Sequence, residues 1–323
     1  MTATTPERPV TRPAAPGPRS TSPARRKRFR LTDGRFALLL MLPAALFLAA
    51  FVAWPLIQFV GNSFFHYNPI AGSPRTFVGF SNYVHALTSA EFANSAGRTI
   101  AYTAIVVTLE FVLGLTVALL FSGLGNRSRI FRTIFLYPLM IAPIVAGLLW
   151  RFLLIDNSGI VNQLLYEAHI ISSPNQIQWL SDPNIALFSV ALPDIWLTTS
   201  FISLVLFAGL QNVPGEILEA ARIDGARYPT LLFRIILPLL RPVIAVAVIV
   251  RGVDAARAFD TIVVQTNGGP QNSTNVLSLL VYNTQIANGN PGLASAMGTI
   301  YLIAMMIVAI VAVLTIWRPG SDH

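Results

Sequence analysis

The segment Glu219 to Pro238, EAARIDGARYPTLLFRIILP, decides how the rest of this chain is read. It is polar and punctuated by Gly and Pro, yet it lies between two long apolar runs. The local chemistry predicts two short helices joined by a turn. Asn212 is placed to cap the first helix, Pro214 suits its first turn, and Glu216 and Glu219 sit near the positive end of its dipole. Asp224-Gly225 supplies the turn, because glycine accepts the positive φ that other residues resist. Pro229 opens the second helix and Pro238 ends it. Ile217, Leu218 and Ala221 form a small apolar face with Arg222 at its edge. An amphipathic hairpin lying on the inner leaflet has the same pattern. An ordered polar segment between two spans otherwise exists to touch a partner.

Composition bounds the surroundings of that segment. The chain has 323 residues, of which 54% are hydrophobic and 11% charged, so an ordinary soluble domain is excluded. It has no cysteine, which removes disulfides, thiolate nucleophiles and Cys-based metal sites. The net charge of +8 does not point to nucleic acid, because nine of the 22 basic residues precede position 36. Residues 1–35 are rich in Pro, Thr, Ser and Arg, with ARRKRFR at 24–30, and read as a disordered basic tail on the cytoplasmic side. The apolar run after it is long enough to stay in the bilayer as an uncleaved span.

Six apolar runs follow, at about 36–60, 97–121, 131–153, 185–210, 239–265 and 295–317, each near the ~20 residues that a bilayer demands. With the N-terminus inside, 17 Lys and Arg residues lie in or beside inner segments, including Arg127, Arg129, Arg132, Arg222, Arg227, Arg234, Arg241 and Arg318. Only Arg75, Arg98 and Arg151 lie outside. That asymmetry puts both termini and the 211–238 loop in the cytoplasm. The expected fold is all-α: a permease domain of six transmembrane helices over 36–318. A short outer-surface helix is expected around Val161 to His169.

No catalytic constellation is present. The only lysine is Lys27, so a G-x-x-x-x-G-K-[ST] phosphate loop cannot form. His66, His85 and His169 lack partners at metal-ligand spacing and read as solvated surface residues. Glu110 is a lone carboxylate in the second span, with no charged residue at i±3 or i±4. It is either a proton site or a group hydrogen-bonded between helices. In the fourth span Pro193 is placed to bend a helix where a cavity opens. Asp194, Trp196 and Ser200 offer a stacking face beside hydrogen-bonding groups, suited to a sugar, or else polar helix packing.

The fifth span carries Arg251, Asp254, Arg257 and Asp260 at intervals of three. On a continuous helix each would lie beside the next over a rise of about 13.5 Å. Each isolated charge facing lipid costs about 2.5–3.5 kcal/mol, so the four must face protein, water or each other. They form either a structural ion-pair ladder or part of a substrate path.

Two motifs carry a resemblance. Glu219, Ala220, Ala221, Gly225, Ile235, Leu237 and Pro238, with Asp224-Gly225-Ala226, resemble the EAA loop of binding-protein-dependent ABC importer permeases of the maltose type. Asp254, Ala255, Arg257, Phe259, Asp260, Thr266, Gly268, Gly269 and Pro270 are similar to the D-A-x-R-x-F-D and T-x-G-G-P segments of sugar permeases, with Ala256 where many relatives have a bulky residue. The resemblance implies a type I importer permease in a bacterial inner membrane that passes a di- or oligosaccharide inward. It implies a heterodimer with a second, related permease, an external solute-binding protein, and an ABC ATPase dimer docked on Glu219, Ala220, Ala221, Asp224, Gly225, Ala226 and Pro238. ATP and Mg would sit on that ATPase, with no cofactor on this chain. Uptake of glycerol phosphate or a polyol, and ion-coupled secondary transport through Glu110, remain the alternatives; a non-transporting scaffold would show no flux.

Overall fold

The computed structural model describes residues 33–125 and 128–316. The tail expected over 1–35 lies outside it up to residue 32, as do Arg127 and Arg318. The chain divides after Trp54 into two compact units. The first holds α1 (Asp33–Leu48), which runs into a π-helical turn, Ala49–Ala53. Phe47 and Phe51 stack there at 4.7 Å, and the large apolar side chains point outward, as lipid contact requires.

The second unit begins within α2 (Trp54–Asn62). A two-stranded antiparallel hairpin follows, β1 (Phe65–His66) and β2 (Thr76–Phe77), with Phe65 opposite Phe77. Then come α3 (Ser81–Thr88) and α4 (Ala90–Leu124), whose first turn is capped by the Ser89 hydroxyl accepting from the Phe92 N–H. α5 (Ser128–Phe135) and a 3-10 turn (Tyr137–Met140) lead to α6 (Pro143–Leu153). α7 (Ile160–Glu167) matches the surface helix expected near Val161, and α8 (Ala186–Ser189) precedes α9 (Leu192–Gln211). After α10 (Gly215–Ile223), α11 (Tyr228–Leu231) passes through a π-helical turn, Leu232–Ile236, into α12 (Leu237–Ala256). The chain closes with α13 (Asp260–Gln265), α14 (Leu277–Ile286) and α15 (Pro291–Ile316).

Among the described residues, five helices are long and apolar enough to cross a bilayer: Leu40–Asn62, Ala90–Leu124, Leu192–Gln211, Tyr228–Ala256 and Pro291–Leu314. The span expected over 131–153 is a bent pair, Arg129–Met140 and Pro143–Leu153, at 94°; counted as one broken span it makes six among the described residues. Pro143 favours the bend, since it disfavours helical backbone at the preceding residue; Ile141 and Ala142 are both extended, at ψ 133° and 136°. Pro193 does not bend the interior of the fourth span; it sits in the first turn of α9, where its missing N–H has no partner to lose.

The fifth span departs furthest from expectation. Pro238 does not end a helix, because the wider π turn just before it accommodates the ring and α12 continues to Ala256. The expected continuous helix to residue 265 is broken at residues 257–259. The 13.5 Å ladder from Arg251 to Asp260 therefore does not exist as one row.

Within the second unit, α4 packs along α9, and α12 lies against both. One core between them gathers Tyr102, Val106, Val190, Ile195, Ile262 and Leu279; another gathers Ala118, Phe121, Ile202, Leu206 and Phe207. Close approach of α4 to α9 depends on Gly114, where an added Cβ would stand 2.7 Å from Ile202 Cγ2. α15 exposes Ile303, Met306, Ile307 and Val311, an apolar surface fit for lipid.

Candidate functional site

The helix-turn-helix over residues 215–236 forms as the sequence requires, with a different start. Asn212 is not an N-cap; it closes α9, donating from its amide to the Ala208 carbonyl at 3.2 Å, and Pro214 precedes α10. At the other end, the Gly225 N–H bonds the Arg222 carbonyl at 3.1 Å and the Ala226 N–H bonds the Ala221 carbonyl at 2.9 Å. This is a Schellman cap, and Gly225 holds its left-handed position at φ +77°. Ala221 does not face outward: it is buried with Leu231, Ile236 and Leu240, and Leu218 and Ala226 pack beside it. A larger side chain at 221 would separate the two short helices. Glu219, Ala220, Asp224 and Gly225 are exposed, and Pro238 is half-buried.

Beside them stand apolar side chains that the motif did not single out. Ile223 is 87% exposed, and Tyr228 and Phe233 are also exposed. Ile217 is half in the open rather than on a packed face. Hydrophobic spacing alone did not separate these outward residues from the inward Leu218 and Ala221. The helix cap does, since it fixes which face turns back on α11.

In the membrane-spanning part, Glu110 on α4 is fully buried and is not alone. Arg251 on α12 donates from Nε to Glu110 Oε2 at 2.6 Å and from Nη2 to Oε1 at 2.9 Å. Arg251 also reaches Asp194 Oδ1 on α9 and Asp254 Oδ2, each at 2.7 Å. The Thr198 hydroxyl contacts Glu110 Oε1, and Tyr102 donates to Asp194 Oδ2 at 3.2 Å. One guanidinium thus ties three helices, and its planar fork suits this bidentate geometry. Arg257 meets Asp254 at 3.4 Å, and both are well exposed. Asp260 is exposed at the start of α13 and joins no ion pair among the described residues.

The expected sugar face on the fourth span does not assemble. Asp194 turns to Arg251, while Trp196 faces the other way and packs against Trp150 at 6.4 Å between centroids. Ser200 is buried and donates to the Leu197 carbonyl at 2.8 Å. Residues 194 and 196 lie about 200° apart around a helix, which separates them.

A cleft of about 320 Å³ opens at the break after α12, lined by Pro143, Asp194, Arg251, Asp254, Arg257, Phe259 and Asp260 among others. A second of about 550 Å³, lined by Leu139, Phe201, Ile249, Val250 and Val253, shares Arg251, Asp254 and Arg257 with it. His66, His85 and His169 are exposed, and no group of three or more metal-ligating side chains occurs among the described residues. Beyond α13, Thr266 and Thr274 hydroxyls meet at 2.7 Å across a turn containing Gly268, Gly269 and Pro270, with a cis Gly269-Pro270 bond.

A family model for the binding-protein-dependent transport system inner membrane component matches residues 110–318. The trehalose/maltose transport system permease protein MalF of Thermococcus litoralis is 32% identical over 88% of this chain and 94% of its own length. The sulfoquinovosyl glycerol transport system permease protein SmoG of Agrobacterium fabrum is 33% identical over 87% and 90%. The trehalose transport system permease protein SugA of Mycobacterium tuberculosis is 34% identical over 87% and 89%. Among solved structures, a chain of a bacterial ABC transporter involved in the import of the acidic polysaccharide alginate superposes with a TM-score of 0.74. It is 20% identical and covers 88% of this chain and 96% of that one, a likeness of fold.

Proposed function

This chain belongs to the family of binding-protein-dependent transport system inner membrane components, and from that premise we propose that it is the transmembrane permease subunit of an ATP-driven sugar importer. It passes a di- or oligosaccharide, delivered by an external binding protein, into the cytoplasm. The substrate class rests on relatives at 32–34% identity whose names refer to trehalose, maltose and sulfoquinovosyl glycerol. A solved complex of the alginate transporter with a periplasmic protein supports a binding-protein partner.

One observation carries the coupling: a single helical rod, Tyr228–Ala256, joins the exposed turn at Gly225 to the cleft at Asp254. At ~1.5 Å per residue its 29 residues span about 43 Å, enough to reach across the membrane. An ATPase dimer gripping Glu219, Ala220, Asp224 and Gly225, with Ile223 and Tyr228 as apolar anchors, moves that rod, and Ala221, Ala226 and Pro238 keep its docking end folded. ATP and Mg bind the ATPase, and this chain does no chemistry. A second, related permease completes the path, and Asp254, Arg257 and Asp260 face it. Arg251 and Asp194 hold that face in place, while Trp196 and Ser200 serve packing. The assembly sits in the bacterial inner membrane with both termini cytoplasmic. The pairing of Glu110 with Arg251 removes the lone carboxylate that an ion-coupled mechanism would use.

Affinity purification of the tagged chain from its native membrane tests this reading. A second permease and an ATPase should co-purify, and mass spectrometry of the associated binding protein should find a di- or oligosaccharide. Isolation of the chain without an ATPase, or with a non-sugar ligand, contradicts it.

A further inference from the structure

The break between α12 and α13 is a built feature. Helix termination at Ala256 frees backbone carbonyls at membrane depth, where an unpartnered polar group is costly. Two side chains from other helices satisfy them: the Tyr301 hydroxyl donates to the Ala256 carbonyl, and Ser278 Oγ donates to the Ala258 carbonyl at 2.5 Å. Irregular backbone persists in a membrane only where protein buries it or where it lines a wet cavity. Here Ala255 and Ala256 are buried on one side while Arg257 and Asp260 open into the cleft on the other.

The break also brings an aromatic ring to that cleft. Phe259 lines it and is steadied by Tyr282 at 5.0 Å between centroids, in an edge-to-face arrangement. A ring beside carboxylates takes up a pyranose well, since the ring covers the apolar sugar face while the carboxylates accept from its hydroxyls.

The charge around the cleft is unbalanced. Asp194, Asp254 and Asp260 are three carboxylates lining it against two guanidinium groups, Arg251 and Arg257, and Arg251 is further neutralised from behind by the buried Glu110. The buried Arg251 is fully occupied by Glu110, Asp194 and Asp254, so it offers little to a ligand. Arg257 is shared with Asp254, and Asp260 has no ion-pair partner among the described residues. A cleft with low-dielectric walls focuses such a field.

We propose that Asp254, Phe259 and Asp260 make this cleft a charge filter that takes uncharged sugars and rejects sugars bearing a carboxylate or phosphate. The proposal rests on the sugar-importer reading and narrows its substrate class, excluding glycerol phosphate. A like charge held near unscreened carboxylates weakens binding by about tenfold or more.

The test uses the complete permease–ATPase complex in nanodiscs without its binding protein, so that only the membrane path selects. Equilibrium binding is measured for trehalose against trehalose 6-phosphate, and for maltose against maltobionate, at ionic strengths of about 0.01 M and about 1 M. The neutral sugar of at least one pair should bind about tenfold tighter at low salt, with the gap closing at high salt and narrowing in Asp254→Asn and Asp260→Asn. Phe259→Leu should weaken the neutral sugar and leave the salt dependence unchanged. Equal or tighter binding of the acidic member overturns the filter and leaves the sugar importer standing. Absence of binding by all four probes overturns the filter; the sugar-importer reading fails separately, if the purified chain carries no ATPase or its binding protein holds a non-sugar ligand.

Discussion

Arg251 and Glu110, 141 residues apart in the chain, meet as a bidentate ion pair with no access to solvent at the carboxylate. The pair joins α12, the helix that continues from the Gly225 turn, to the long helix α4. Removing one partner leaves the other as an uncompensated charge in a low dielectric, a loss of about 3–5 kcal/mol. Arg251→Leu, which strands both Glu110 and Asp194, should lower the thermal stability of the purified complex most. Glu110→Leu should be milder, because Asp194 and Asp254 still hold Arg251. The double change should recover part of the loss. Unchanged melting in Arg251→Leu would show that the cluster does not hold the helices together.

The Asp254–Arg257 pair differs in kind. It is long at 3.4 Å and exposed on both sides, so its removal should change stability by about 1 kcal/mol or less. Arg257→Gln should therefore reach the membrane at normal levels and still reduce uptake; Asp254→Asn also gives up the 2.7 Å contact with Arg251 and should lose more stability, so uptake is normalised to protein in the membrane. If they touch the sugar, the double variant is at least as defective as the worse single. Recovery of uptake in the double, with sugar preference unchanged, would reduce the pair to a structural contact.

Gly225 should tolerate some residues and not others, and the reason is backbone strain. An added Cβ meets nothing within 4 Å, so space in this chain does not forbid a side chain; the positive φ does. Gly225→Asn, which enters the left-handed region more readily, should keep more uptake than Gly225→Val. Uptake normalised to protein in the membrane gives the order. Equal activity of the two variants would mean that the turn geometry is immaterial to coupling.

These sites were unevenly legible in the sequence. The turn could be read because its signals are local: Asp-Gly requires a particular backbone, and Pro229 a particular helix start. Glu110 looked isolated because only neighbours three or four residues away show in a linear reading, whereas its partner arrives by tertiary packing from α12. The break after Ala256 carries no Gly or Pro; it is held by Tyr301 and Ser278, which no local pattern connects to it. Pro238 misled in the opposite sense, since a π turn absorbed what a proline normally disrupts. Asp194 and Trp196 were grouped by chemistry although their spacing puts them on opposite sides of α9.

The topology expected from the basic residues is independent of any site. A reporter enzyme active only outside the cell should be silent when fused after His323 and active when inserted after Asn288, an exposed residue between α14 and α15. The reverse pattern would put the Gly225 turn outside, away from ATP.

The most direct measurement of the central claim is sugar uptake by the complete transporter under controlled energy supply. Proteoliposomes containing both permeases and the ATPase, with the binding protein added outside, should accumulate labelled sugar only when ATP and Mg are enclosed. The Gly225→Val complex should not accumulate it, and an ionophore that dissipates ion gradients should leave wild-type uptake unchanged. Uptake that survives without ATP and collapses with the ionophore would contradict the account.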